Sequence, residues 1–222
     1  MPAPQVPYAP PRLPQALALA ALEAELTLLQ ARRSVRRFAG DAVPRALIEQ
    51  ALRIAGTAPS GAHRQPWYFV AIADPEKKRA IRAAAEREER DFYERRAPAE
   101  WLAALEPLGT DFEKTHLSDA PWLIVVFQKN QDVLPDGREV KTYYAAESVG
   151  IAVGLLIAAL HRAGLATLTH TPAPMTFLAD ICGRPASEKP FLLLVAGHPA
   201  ADATVPTAAL VKKPLDAIAA WI

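Results

Sequence analysis

The chain has 222 residues, 51% of them hydrophobic, enough to bury a substantial core in a single domain of helices and strands. Lys and Arg number 25 against 24 for Asp and Glu, so no net field draws the whole molecule to nucleic acid or an anionic membrane, and partners must be recognised locally. A single cysteine, Cys182, excludes an internal disulfide and reads as a small buried hydrophobe, since no Lys- or His-rich motif surrounds it.

The opening "MPAPQVPYAPPRLPQ" has no basic stretch followed by an apolar run, so it reads as an extended proline-rich arm and not as a secretory signal. Residues 14–31, rich in Ala, Leu and Glu, predict a first helix that runs into the basic "RRSVRR" at 32–37. Pro44 sits at the first turn of a second helix, with Leu47, Ile48, Ala51, Leu52, Ile54 and Ala55 as its buried face and Gly56 as its stop. "WYFVAIA" at 67–73 predicts a short strand, ended by Asp74 and Pro75, before a long charged helix over 76–96. "PWLIVVF" at 121–127 predicts a second buried strand. Residues 142–164 are apolar on nearly every face and predict a central helix covered on all sides, of the kind that makes a dimer seam. The longest uncharged run within it, 148–160, falls short of the ~20 residues of a bilayer-spanning helix, which predicts a soluble, cytoplasmic protein. Strands at 165–169 and 191–197 follow, separated by a short helix through Ala179. The organisation expected is an arm and first helix over 1–30 and one domain over 31–222.

Several chemistries have no motif here. There is no GxGxxG after a strand, no P-loop, no HExxH, no CxxC and no GxSxG. Histidines 63, 116, 161, 170 and 198 are scattered, without carboxylates or cysteine at ligand spacing, so no metal site is expected and each histidine reads as a surface or hydrogen-bonding residue. Local charge remains. "RRSVRR" suits either a solvated charge run or a phosphate site, because arginine forks donate paired hydrogen bonds to phosphate oxygens. "TAPSGAHRQPW" at 57–67 suits either an ordinary turn or a loop where backbone approaches a flat or anionic ligand closely. Glu89 and Tyr93, four residues apart, share one face of the charged helix, and Lys114 follows in a loop-rich stretch; so charged a helix suits a solvated face or a lid over about 86–116 that settles on a ligand.

Taken together, "RRSVRRF", "GTAPSGAHRQPW", "EREERDFYERR", "GRPASEK" and "DATVP" followed by "KKPLD" occur in the order and spacing of the iodotyrosine deiodinases, a flavin mononucleotide (FMN) branch of the nitroreductase superfamily, which the chain resembles from about Arg32 onward. The resemblance implies an α+β, nitroreductase-like fold, a central mixed β-sheet flanked by helices, in an intertwined homodimer with active sites at the subunit interface. By the same motifs Arg32, Arg33, Ser34, Val35 and Arg36 would hold the flavin's phosphate, ribityl chain and ring edge, Ser60 and Gly61 would lie along it, and Lys212 would reach the phosphate as a point charge. Thr169, His170 and Thr171 correspond to a threonine-rich segment beside the ring, with His170 in place of a threonine; Thr171 would donate to flavin N5 and support one-electron steps.

Glu89, Tyr93 and Lys114 match the trio that grips the substrate's amino-acid zwitterion, and the backbone N–H of Ala62 would donate to the phenolate oxygen of the halotyrosine. The function implied is reductive dehalogenation of 3-iodo- and 3,5-diiodo-L-tyrosine to tyrosine and iodide. Two rivals stand beside it: a general NAD(P)H-dependent nitro- or quinone reductase, and a non-enzymatic phosphate- or nucleic-acid-binding module built on "RRSVRR". Neither a nucleic-acid nor a membrane partner is expected.

Overall fold

A computed structural model describes residues 4–134 and 136–222; residues 1–3 of the expected arm lie outside it. The chain divides into two units, Met1–Arg32 and Arg33–Ile222. In the first, residues 4–14 are exposed and irregular, and helix α1 (Gln15–Gln30) buries none of its residues, Leu17, Leu22 and Leu26 included.

The second unit is built on a four-stranded sheet. Strands β1 (Trp67–Ile72), β2 (Trp122–Lys129), β5 (Ala166–His170) and β6 (Glu188–Gly197) lie in the order β1-β2-β6-β5, each pair antiparallel, with Val70 opposite Val125 and Leu168 opposite Val195. A parallel pairing enters at the edge, where Ser34 bridges Thr167 and the Val35 N–H donates to the Thr167 carbonyl at 3.2 Å. Strand alternation explains the apolar runs. Leu123, Val125 and Phe127 pack on one side with Ile81 and Ala85 of α3 (Pro75–Asp91), Leu117 of α5 (His116–Asp119) and Leu178 of α7 (Phe177–Cys182). Ile124 and Val126 pack on the other with Ile48 and Ala51 of α2 (Arg45–Ala55) and Val149, Val153 and Leu156 of α6 (Ala145–Arg162). Helices therefore cover both faces of a sheet whose two inner strands, β2 and β6, are buried on both sides along most of their length.

Three expectations need correction. On α2, Leu47 and Ile54 are 39% and 46% exposed, because the stripe facing the sheet takes Ile48, Ala51 and Ala55 and leaves those two beside it. Within the single chain helix α6 is not covered all round, so any cover on its open face must come from a partner as the dimer-seam expectation requires: Ile151 is 48% exposed, and a Cβ at Gly150 or Gly154 would meet nothing within 4 Å. That helix is long and apolar enough to cross a membrane, yet it packs on α2 and the sheet. The charged helix ends at Asp91 and changes pitch into a π-helical turn, Phe92–Arg96, before α4 (Ala99–Leu105). The hairpin of β3 (Gln131–Val133) and β4 (Glu139–Lys141) escaped the periodicity reading because strands of three residues are too short to show alternation.

Candidate functional site

A pocket opens where the end of β5 meets the end of α3, the π turn and the segment leading into α5; Arg36, Glu89, Tyr93, Lys114, His116, Thr169, His170 and Thr171 line it. Helix α3 starts cleanly, with Pro75 in its first turn and the Asp74 carboxylate accepting from the Glu76 and Lys77 N–H groups. Its apolar residues then dock on the sheet and carry Glu89 to the pocket. The π turn, closed by the Ala97 N–H on the Phe92 carbonyl at 2.8 Å, carries Tyr93 over the opening, with Phe92 edge-on to Trp101 at 5.0 Å. Arg96 ties this turn across the pocket by donating to the Ala173 carbonyl at 2.8 Å.

Lys114 is buried, and two bonds hold it from different sides. Its backbone N–H donates to Glu86 Oε1 at 2.8 Å, and Arg82 donates to the same oxygen at 2.7 Å. The desolvation of Glu86 pushes its pKa up, but these bonds and the charges of Arg82 and Lys114 outweigh it and hold the carboxyl below its ordinary value. The Lys114 ammonium donates to the Asp111 carbonyl and stands 3.4 Å from Glu89 Oε2, with the two side chains 8% and 16% exposed. Tyr93 donates its hydroxyl to Thr110 Oγ1 at 2.8 Å, and burial raises its pKa. A carboxylate, an ammonium and a phenol from three segments thus converge, their polar groups satisfied by one another and by their surroundings.

Arg36, Thr169, His170 and Thr171 join the trio in this pocket. Thr169 and Thr171 are exposed, whereas His170 between them is buried toward α3 and α5. Ser34 and Val35 lie beside Thr167 at the sheet edge. Arg33 is half-buried, and Arg32 belongs to the first unit. Ser60, Gly61 and Ala62 are not among the lining residues of this pocket. Gly61 instead bridges Tyr143 so closely that a Cβ would collide with the Tyr143 carbonyl oxygen, and its N–H donates to Ser148 Oγ at 3.3 Å. The Ser60 hydroxyl accepts from the Gln65 N–H at 2.9 Å. Ala62, His63 and Gln65 hold φ of 50°, 53° and 48°, a run of left-handed non-glycine residues of the kind that marks ligand loops. Lys212 is exposed between the 3-10 turns Thr207–Leu210 and Leu215–Ala217.

Thr110, which accepts from Tyr93, and His116 are pocket residues that sequence reading missed. His116 and His170 are 5% and 8% exposed, with ring centroids 5.6 Å apart, so the reading of both as ordinary surface or hydrogen-bonding histidines is corrected. No spacing rule links two residues so far apart in sequence, since the fold alone brings α5 to the end of β5. Cys182 is half-buried, and burial pushes its thiol up to about 11.

The profile described as the nitroreductase family matches residues 29–198. The iodotyrosine deiodinase of Haliscomenobacter hydrossis is 56% identical over 175 residues, covering 79% of each chain. That of Danio rerio is 43% identical over 206 residues, covering 91% of this chain and 69% of the relative. A crystal structure of oxidized iodotyrosine deiodinase bound to FMN and 3-iodo-L-tyrosine superposes with a TM-score of 0.70 at 31% identity, over 80% of this chain and 90% of that one.

Proposed function

The chain belongs to the nitroreductase family, in its iodotyrosine deiodinase branch, and on that premise we propose that it removes iodide reductively from iodotyrosines with FMN as cofactor. The observation that carries this is the buried Glu89–Lys114 pair at 3.4 Å with Tyr93 beside it. A zwitterionic amino acid replaces that pair without leaving a charge unmatched: its ammonium goes to Glu89 and its carboxylate to Lys114, while Tyr93 turns from Thr110 to the substrate's polar end. Exchange of one buried ion pair for two avoids the cost of an uncompensated buried charge. A ligand lacking either charge would strand its counterpart, which is how this lid selects amino acids.

The residues present fit a flavin. Arg33 and Arg36 place guanidinium groups on the segment of the sheet edge that carries Ser34, suited to a phosphate and a polar chain, and Thr169 and Thr171 expose hydroxyls beyond β5. Bound FMN supplies the two electrons that, with one proton, replace the carbon–iodine bond by carbon–hydrogen and release iodide. Thr171 is assigned the hydrogen bond to flavin N5. The lid holds the substrate ring in place and keeps water from it when Glu89, Tyr93 and Lys114 are engaged.

Ser60, Gly61, Ala62 and Lys212 are assigned to the same site in a homodimer, contributed across the subunit interface. The open face of α6 supports this assembly, with bare backbone at Gly150 and Gly154 and exposed Ile151, as do Tyr143 and Tyr144 just before the helix, at 49% and 74% exposure. The test is anaerobic reduction of the FMN-loaded protein in the presence of 3-iodo-L-tyrosine. One iodide per tyrosine formed is the expected result; brisk NADPH-dependent reduction of nitroaromatics with no iodide release would contradict it.

A further inference from the structure

Beneath the Glu89–Lys114 pair lie the two histidines that this reading leaves unused. The Nε2 atoms of His116 and His170 are both buried without a hydrogen-bond partner, a costly arrangement that folded proteins keep chiefly where function uses it. Strand alternation fixes where His170 points. Thr169 and Thr171 are exposed, whereas His170 shares the inner face with Leu168 and meets Glu89 of α3 and His116 of α5. Its Nε2 stands 4.0 Å from Glu89 Oε1. Burial, with His116, Lys114 and Arg36 around it, depresses His170 to about 3; burial, with Lys114, Arg36 and Arg82 outweighing Glu86, depresses His116 to about 4. Both rings are therefore neutral near neutral pH and each offers one acceptor nitrogen. Nε2 makes no hydrogen bond to the adjacent carboxylate at 4.0 Å, so it can accept one when the ring's proton sits on Nδ1.

The geometry points to His170 Nε2 as a second acceptor for the substrate's α-ammonium beside Glu89, which makes the pocket selective for a primary ammonium over alkylated or missing amines. This rests on the halotyrosine reading above. Two N–H donors of one ammonium diverge at the tetrahedral angle, so linear bonds of about 2.9 Å put their acceptors about 4.7 Å apart, and bending each bond by about 10° brings them to about 4 Å. Glu89 Oε1 and His170 Nε2 are 4.0 Å apart, on the same side of the pocket. His116, packed edge-on against the His170 ring, is a positioning residue that holds it in that direction.

The test measures dissociation constants by flavin-fluorescence quenching of the FMN-loaded protein, using 3-iodo-L-tyrosine and its desamino analogue, with wild type, His170→Leu and His170→Gln. His170→Leu should weaken iodotyrosine binding about ten- to a hundredfold and leave the desamino analogue unchanged, as expected for loss of one charge-assisted hydrogen bond. His170→Gln keeps an acceptor at similar reach and should restore most of the loss. In the wild type, imidazole nitrogen NMR should show His170 Nε2 shifting on addition of iodotyrosine and not of the desamino analogue, a readout available even if His170→Leu fails to retain FMN. Equal losses on both ligands, no loss with His170→Leu, or an unmoved Nε2 signal would overturn the assignment. Wild type that binds neither ligand would overturn the substrate reading itself, and this inference with it.

Discussion

Glu89 and Lys114 face each other at 3.4 Å across a site in which each is nearly buried, so neither can be removed without leaving the other uncompensated. Glu89→Gln should therefore weaken iodotyrosine binding about ten- to a hundredfold, the worth of a charge-assisted hydrogen bond, while barely affecting iodophenol, which has no amino-acid end. Equal losses for the two ligands, measured by flavin-fluorescence quenching, would mean that the substitution acts on the lid's fold and not on zwitterion recognition. The two histidines also make stability depend on pH. Burial and neighbouring cations lower His116 to about 4 and His170 to about 3 from an ordinary 6.5. The unfolded chain then binds more protons than the folded one as pH drops, so their stabilising contribution is complete above about 6.5 and is lost as pH falls toward the folded values. Each group costs up to about 1.4 kcal/mol per pH unit in that window. Urea midpoints should fall from neutral pH to about pH 4, and His116→Phe should lessen the slope; an identical slope in the variant would show that His116 is not neutral in the fold.

At the scale of elements, the proposed lid starts on helix α3, which changes pitch into the π turn that follows it. The Arg96 guanidinium donates to the Glu88 carbonyl at 2.8 Å, lies 2.6 Å from Asp91 and reaches the Ala173 carbonyl beyond β5. Because its side chain is 38% exposed, Arg96→Ala should cost no more than about 1 kcal/mol of global stability. It should nevertheless free the π turn, with faster amide exchange over residues 92–97 and severalfold weaker iodotyrosine binding. Unchanged exchange there would show that the turn is held by Phe92 and Trp101 packing instead. These elements also mark what could be read in advance. Strands β2 and β6 are legible because burial on both faces demands continuous apolar runs, β1 because its aromatic and β-branched residues favour a strand even at a part-exposed edge, and α2 because Pro44 and Gly56 bracket it. The four-residue spacing of Glu89 and Tyr93 was legible, but the change of helical pitch between them was not, since a π turn leaves no signature in hydrophobic period. The His116–His170 pair and the Glu86 bond to the Lys114 N–H are tertiary facts, set by how α3, α5 and β5 dock.

At the scale of the whole molecule, one chain leaves much apolar surface bare. The exposed Ile151 on α6 and the exposed Leu215, Ile218 and Trp221 near the C-terminus suit a face that a second copy covers. Since Gly154 has open space around it, Gly154→Glu should be tolerated by the single chain and should act on assembly: sedimentation should find wild type dimeric at micromolar concentration and the variant monomeric with weakened FMN retention. A variant that remains dimeric would place the interface elsewhere. We propose a flavin-bearing pocket closed by a lid that reads an amino acid. It is tested most directly by the absorption spectrum of the purified protein titrated with 3-iodo-L-tyrosine. The account predicts a flavin spectrum that is perturbed saturably by iodotyrosine and far less by iodophenol; a colourless protein, or a flavin spectrum indifferent to iodotyrosine, would contradict it.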